Sequence, residues 1–207
     1  MPVAQKTKHA ITLKGSTKTV SEFFYYAVNS ILYQRGIYPS ESFSFEQKYG
    51  LTVLVTSDEK LKAYLIKILE QVKQWLSDLV IEKLVLVIRR VSTQEVVERW
   101  QFDIKCDKSA KSDEPMVAEK DEKQVKKDIA DVIRQIVASV TFLPALDFQC
   151  SFELLIYCDK NTELPSGEWA DTGPQLVSNS VEVKLKSFTT SIHKVDSLVA
   201  YKLNPNE

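Results

Sequence analysis

Glycine is scarce, with five in 207 residues, and none falls in a GxGxxG or GxxxxGK arrangement. That excludes the loops that bring backbone N–H groups close to phosphates, so nucleotide binding is not expected. Cysteine is equally sparse: Cys106, Cys150 and Cys158 form an odd set with no CxxC pair, which reads as a chain from a reducing compartment, cytosol or nucleus. The two histidines, His9 and His193, have no Cys, His or acidic partner at a metal-ligand spacing, so neither a metal nor a cofactor is expected. Charge of one sign is not in excess. With 27 basic and 28 acidic residues the net charge is -1, and no overall field draws the chain to nucleic acid or an anionic membrane. No uncharged apolar run approaches the roughly 18 to 20 residues that span a bilayer. The opening MPVAQKTKHA is too polar for a secretory signal, and a soluble protein is the expectation.

What is present is strong periodicity. After Gly15-Ser16, residues Val20, Phe23, Phe24, Ala27, Val28, Ile31 and Leu32 recur at helical spacing up to Gly36. A second helix is expected from Ser57-Asp58, carried by Leu61, Leu65, Ile68, Leu69, Val72, Leu76 and Leu79. A third, from about Glu122, is marked by Val125, Ile129, Val132, Ile133, Ile136, Val137 and Val140, with Pro144 as its stop. Leu84 to Ile88 is a continuous β-favouring run, and Trp100, Phe102, Ile104 and Cys106 alternate with polar residues, predicting two antiparallel strands joined near Ser92-Thr93-Gln94. From Phe148 another strand begins half-buried and becomes covered on both faces by Leu155 and Tyr157. The lysine- and acid-rich stretch from Lys105 to Asp128 reads as a solvated linker running into the third helix. Turn formers fill Glu163 to Gly173; Val181, Val183 and Leu185 then alternate with polar residues, and a final strand is expected from Leu198 to Leu203. The fold class is α+β: one domain, with three long helices packed on a mainly antiparallel sheet.

Catalytic chemistry finds little support. Cys150 or Cys158 with His193 is a conceivable nucleophile and base, yet both cysteines lie in or just after an apolar strand, where free Cys acts as a small hydrophobe. Glu98 and Asp103 are five residues apart and point to opposite faces of a strand, so they make no acid/base pair. Lys184, Lys186, His193, Lys194 and Lys202 are interrupted by Glu182 and Asp196, which argues against a nucleic-acid surface. A non-enzymatic interaction protein remains.

Four stretches narrow that class. Ile31 to Pro39 (ILYQRGIYP), Glu98 to Asp103 (ERWQFD), Arg134-Gln135-Ile136 with Val140 to Pro144 (VTFLP), and Ser187 to Val195 (SFTTSIHKV) together resemble the HORMA family, and within it the spindle-checkpoint branch. The resemblance covers about residues 11 to 205. It implies a HORMA-like domain with a core over about 11–160, a mobile C-terminal β-hairpin or safety belt over about 161–207, and a flexible tail over 1–10. It further implies capture of a short extended partner segment by addition to the edge of the strand Ser151 to Tyr157, with the belt closing across it. The residues implied for that capture are Phe152, Leu154, Ile156, Tyr157, Trp169 and Tyr201. Arg134, Gln135 and Phe142 are implied as an interface for a self-dimer between conformers, and Leu13 as part of a segment displaced when conformers switch. Partners implied are mitotic-arrest-deficient protein one, the cell-division-cycle activator of the anaphase-promoting complex and other checkpoint-complex proteins, met at the kinetochore, in the nucleus and in the cytoplasm. An adaptor of translesion synthesis or of the meiotic chromosome axis is the alternative within the family. It should lack the SFTTSIHK stretch.

Overall fold

A computed structural model describes residues 11–111, 121–163, 165 and 169–203. The expected flexible tail over 1–10, residues 112–120 of the charged linker and the last four residues lie outside them.

Helix α1, Leu13–Gln34, starts two residues before the Gly15-Ser16 pair that the spacing suggested. The reason is local: extended Thr12 acts as N-cap, its Oγ1 accepting from Gly15 N at 3.1 Å. Its end is a Schellman motif. Ile37 N donates to Leu32 O and Gly36 N to Tyr33 O, both at 3.0 Å, with Gly36 at φ +61°, where a Cβ would be strained.

The next element was not legible as structure. Strands β1 (Phe43–Lys48) and β2 (Leu51–Thr56) form a separate hairpin around Tyr49-Gly50, both with positive φ, as a tight two-residue turn requires. Helix α2, Glu59–Ser77, is capped by Asp58, whose Oδ1 accepts from Leu61 N at 2.8 Å. Helix α3, Glu122–Ala138, ends before Val140 and is followed by one tight turn, Ser139–Thr141. Pro144 is therefore not what stops it. Val137 and Val140, expected on its buried stripe, are 41% and 45% exposed, while Ile133 and Ile136 beside them stay buried and Val137 lines a surface groove.

The main sheet comprises β3 (Ile81–Arg90), β4 (Val96–Cys106), β5 (Cys150–Cys158), β6 (Ser180–Lys184), β7 (Phe188–Thr189) and β8 (His193–Lys202). Its order is β5-β3-β4-β8-β6, all pairs antiparallel, with short β7 also on β8. The final strand thus begins at His193 and not at Leu198, and it occupies an inner position.

Strand alternation gives the sheet two apolar faces. Leu84, Leu86, Ile88, Trp100, Phe102, Leu154, Val195 and Val199 face the helices and share one core with Val20, Phe23, Phe24, Leu65, Leu76 and Ile133. Phe23 meets Phe102 at 5.6 Å and Phe188 at 4.8 Å between ring centroids, so a C-terminal aromatic is keyed into the first helix. On the opposite face Val85, Val87, Val96, Leu155 and Ala200 are buried beneath Val177.

Candidate functional site

Strand β5 pairs with β3 along one edge, and among the described residues no strand pairs with the other. An unpaired edge of nine mostly apolar residues presents backbone donors and acceptors to any extended chain alongside it, and native sheets seldom leave such an edge without a use. After Cys158 the chain turns: Asp159 N donates to Val80 O at 2.8 Å, and the Asp159 carboxylate, held below the usual range chiefly by the Asn161 N–H, takes Lys108 Nζ at 3.4 Å. Beyond that turn the Trp169 ring packs 5.0 Å from Trp75 of α2. A cleft of about 310 Å³ opens here, lined by Leu154, Ile156, Tyr157, Trp75, Trp169 and Thr172 among others.

The cleft has a roof on its outer side. Tyr157 Oη donates to Pro174 O at 3.4 Å, and Val177 lies on the outer apolar face beside Leu155, Val87 and Ala200. The chain then reaches β6, which pairs with β8 at the far edge. The described residues between β5 and β6 therefore form a strap laid across the sheet from one edge to the other.

Leu154, Ile156, Tyr157 and Trp169, four of the residues expected to capture a partner, meet in this cleft. Phe152 lies further along β5 on the helix side, its ring 6.2 Å from Tyr38 and 5.9 Å from Tyr64. Tyr201 is elsewhere and does not line this cleft. It sits on β8 opposite Glu98 and Val181, three strands away from β5, with its ring 6.2 Å from Phe142. Sequence order set it after the strap, but the inner position of β8 carries it to the other side of the sheet.

Arg134, Gln135 and Phe142 share the α3 side. Arg134 Nη1 donates to Asp131 Oδ1 at 2.6 Å, and Lys186 Nζ donates to the other Asp131 oxygen at 2.8 Å. Gln135 Oε1 accepts from Lys186 N at 2.5 Å. Phe142 is 43% exposed, and a separate groove of about 330 Å³ between α3 and β2 is lined by Tyr33, Leu54, Ile133, Arg134 and Val137 among others. Leu13 is the first residue of α1, and the neighbouring Ile11 packs on the core.

Two polar clusters escaped the sequence reading. Arg35, Glu98 and Trp100 form one, and Ser16, Thr190 and His193 the other; each joins residues so far apart in the chain that no local spacing marks them. His193 Nδ1 is 2.6 Å from Ser16 Oγ, and Nε2 is 3.1 Å from Leu76 O. Both ring nitrogens are thus taken, and the ring is not the base for Cys150 or Cys158. Burial pushes the Cys150 thiol up and that of Cys158 up to about 11.

An open strand edge, an apolar cleft beside it and a strap crossing the sheet define a module for binding extended peptide by strand addition. The HORMA domain model matches residues 16–193, and this chain belongs to the HORMA family. The human mitotic spindle assembly checkpoint protein MAD2A is 54% identical over 207 residues, covering 100% of both chains. The mitotic spindle checkpoint component mad2 of Schizosaccharomyces pombe is 48% identical over 194 residues, covering 94% of this chain and 95% of the relative. Among solved structures, a chain in the crystal structure of the mitotic checkpoint complex superimposes with a TM-score of 0.83 at 47% identity, covering 91% of this chain and 99% of that one.

Proposed function

We propose that this protein is a spindle assembly checkpoint adaptor that acts by binding and not by catalysis. It captures a short extended segment of a partner along the free edge of β5 and holds it beneath the strap, restraining the activator of the anaphase-promoting complex and delaying anaphase. Its partners are other checkpoint proteins, mitotic-arrest-deficient protein one and the cell-division-cycle activator among them, met at the kinetochore and in the surrounding nucleus and cytoplasm. The observation that carries this reading is the unpaired edge of β5 beside the Trp75–Trp169 cleft. A strand laid there alternates its side chains, one set entering the cleft beside Leu154 and Ile156, the other lying against Leu155 and Tyr157. The names and the near full-length match of the checkpoint relatives support the pathway.

Fluorescence anisotropy with a labelled basic-aliphatic-proline peptide, the kind of segment that the family resemblance implies for both named partners, tests it. Wild type should bind, and Trp169→Ala should weaken binding by about tenfold or more, as for the loss of a central aromatic anchor. No binding to wild type, or equal binding to both, defeats the reading.

A further inference from the structure

The second buried polar cluster has no part in the cleft, yet it ties together distant parts of the fold. Ser16 belongs to the first turns of α1, Leu76 to the last turn of α2, Thr190 to the connection between β7 and β8, and His193 to the first position of β8. Ser16, Thr190 and His193 are all completely shielded from solvent. Ser16 Oγ lies 2.5 Å from Thr190 Oγ1 and 2.6 Å from His193 Nδ1, while His193 N donates to Thr190 Oγ1 at 3.0 Å.

The partners fix the state of the ring. A carbonyl oxygen only accepts, so Nε2 carries the proton toward Leu76 O, and in the neutral ring Nδ1 accepts from the Ser16 hydroxyl. Adding a proton at Nδ1 makes both nitrogens donors. The Ser16 hydroxyl must then turn round, and a full positive charge stands where no solvent reaches it. Among the described residues no carboxylate contacts the ring. Across the ladder β4 presents Cys106, whose thiol burial pushes up to about 11 and keeps neutral. Asp78 at the end of α2 is engaged with Gln74, and Asp107 beyond β4 with Ser109. Lys14 and Lys18 of α1 are exposed, and Lys194 of β8 is paired with Asp196. The Leu76 carbonyl, at the negative end of α2, favours the imidazolium. Burial outweighs it and pushes the His193 ring below its ordinary value of 6.5.

We propose that Ser16, Thr190 and His193 form a proton-sensitive latch that fastens β7 and the start of β8 to α1 and α2 and releases them on mild acidification. His193 and Cys106 are the last rung of the β4–β8 ladder, so release frays the sheet inward from that end. The sign follows from the ring: a base held neutral in the fold titrates near 6.5 once freed, so the fastened state is favoured above that pH and loses ground as pH falls below it.

Hydrogen exchange by mass spectrometry on the full chain, corrected for the intrinsic pH dependence of amide exchange, reads this directly. In wild type the opening of peptides within residues 186–202 should rise by about tenfold per pH unit below about pH 6.5, until the fastened ring itself titrates. His193→Gln, which keeps His9, should abolish that slope. Ser16→Ala should open the segment by about fivefold at every pH while keeping the slope, because the ring remains. A flat wild-type profile, a slope retained in His193→Gln, or an equal slope across α2 and α3 overturns the latch. Should His193→Gln not fold, an NMR titration of wild type decides: the ring must stay neutral and Nε2-protonated below its ordinary value, and titration at 6.5 overturns the proposal.

Discussion

Arg35 and Glu98 face each other inside the protein, Arg35 Nε 2.9 Å from Glu98 Oε2, with their side chains 4% and 1% exposed. Trp100 Nε1 donates to the same carboxylate at 2.6 Å, and Arg35 Nη2 donates to Pro144 O at 2.6 Å. Burial pushes the Glu98 carboxyl up, and the Arg35 charge pulls it back. One ion pair therefore joins the end of α1, the middle of the sheet and the turn after α3.

Removing one partner strands the other in an apolar interior. Glu98→Gln should lower stability by about 3 to 5 kcal/mol in urea denaturation. Arg35→Met combined with Glu98→Leu should cost less than either single change, since the desolvation of both charges disappears together. A double mutant as weak as the sum of the singles would mean that the two side chains act independently, and that no stranded charge explains the single losses.

The thiols offer a second measurement. Burial pushes Cys106 and Cys158 up to about 11 against an ordinary 9.0, so at pH 8 their thiolate population is about a hundredfold smaller. Both should react slowly with a thiol reagent in the native protein and fast in denaturant. Rapid native labelling would reopen a redox or hydrolytic role.

For the α3 surface, Arg134→Ala and Phe142→Ala should each weaken self-association by about tenfold or more in sedimentation velocity, while peptide binding in the β5 cleft persists. Arg134 and Phe142 lie outside that cleft, which is why the two effects separate. Unchanged dimerisation in both variants would remove the interface assignment.

A further expectation concerns conformers. Here the C-terminal strands dock on β4 and leave β5 open; in the alternative they would pair with β5 and block it, while the segment at Ile11 to Leu13 takes the vacated edge. Two packings within a few kcal/mol coexist and exchange slowly when many ladder bonds must break. Ion-exchange chromatography should resolve two monomer peaks that differ in hydrogen exchange within residues 1–15 and 160–207. A single peak with one exchange map would describe a rigid binding module.

The helices were legible because their apolar residues keep a helical period regardless of tertiary context. Strand β8 was only half legible. Its inward positions include His193 and Ser197, both buried, so polar residues hid an alternation that runs over ten residues. Strand β1 was hidden for the opposite reason: FSFEQK buries little, and Phe45 is 78% exposed. Of the cleft, the β5 residues and Trp169 could be read; that Tyr201 lies outside it could not, since strand order depends on long-range pairing that sequence proximity does not encode. Val199, Ala200 and Tyr201 are core residues, so truncating the chain at Ser197 would dismantle the sheet as well as the strap; Trp169→Ala is the cleaner probe of capture.

The inner place of β8 also constrains how the protein is born. Between β4 and β8 the ribosome must deliver nearly half the chain, and until it does, β4 waits with an open flank and the aromatic surface of Trp100 and Phe102 incompletely covered. Nascent chains of this protein should therefore depend on chaperones late in synthesis, and a stall just before His193 should leave a more aggregation-prone product than one after Lys202.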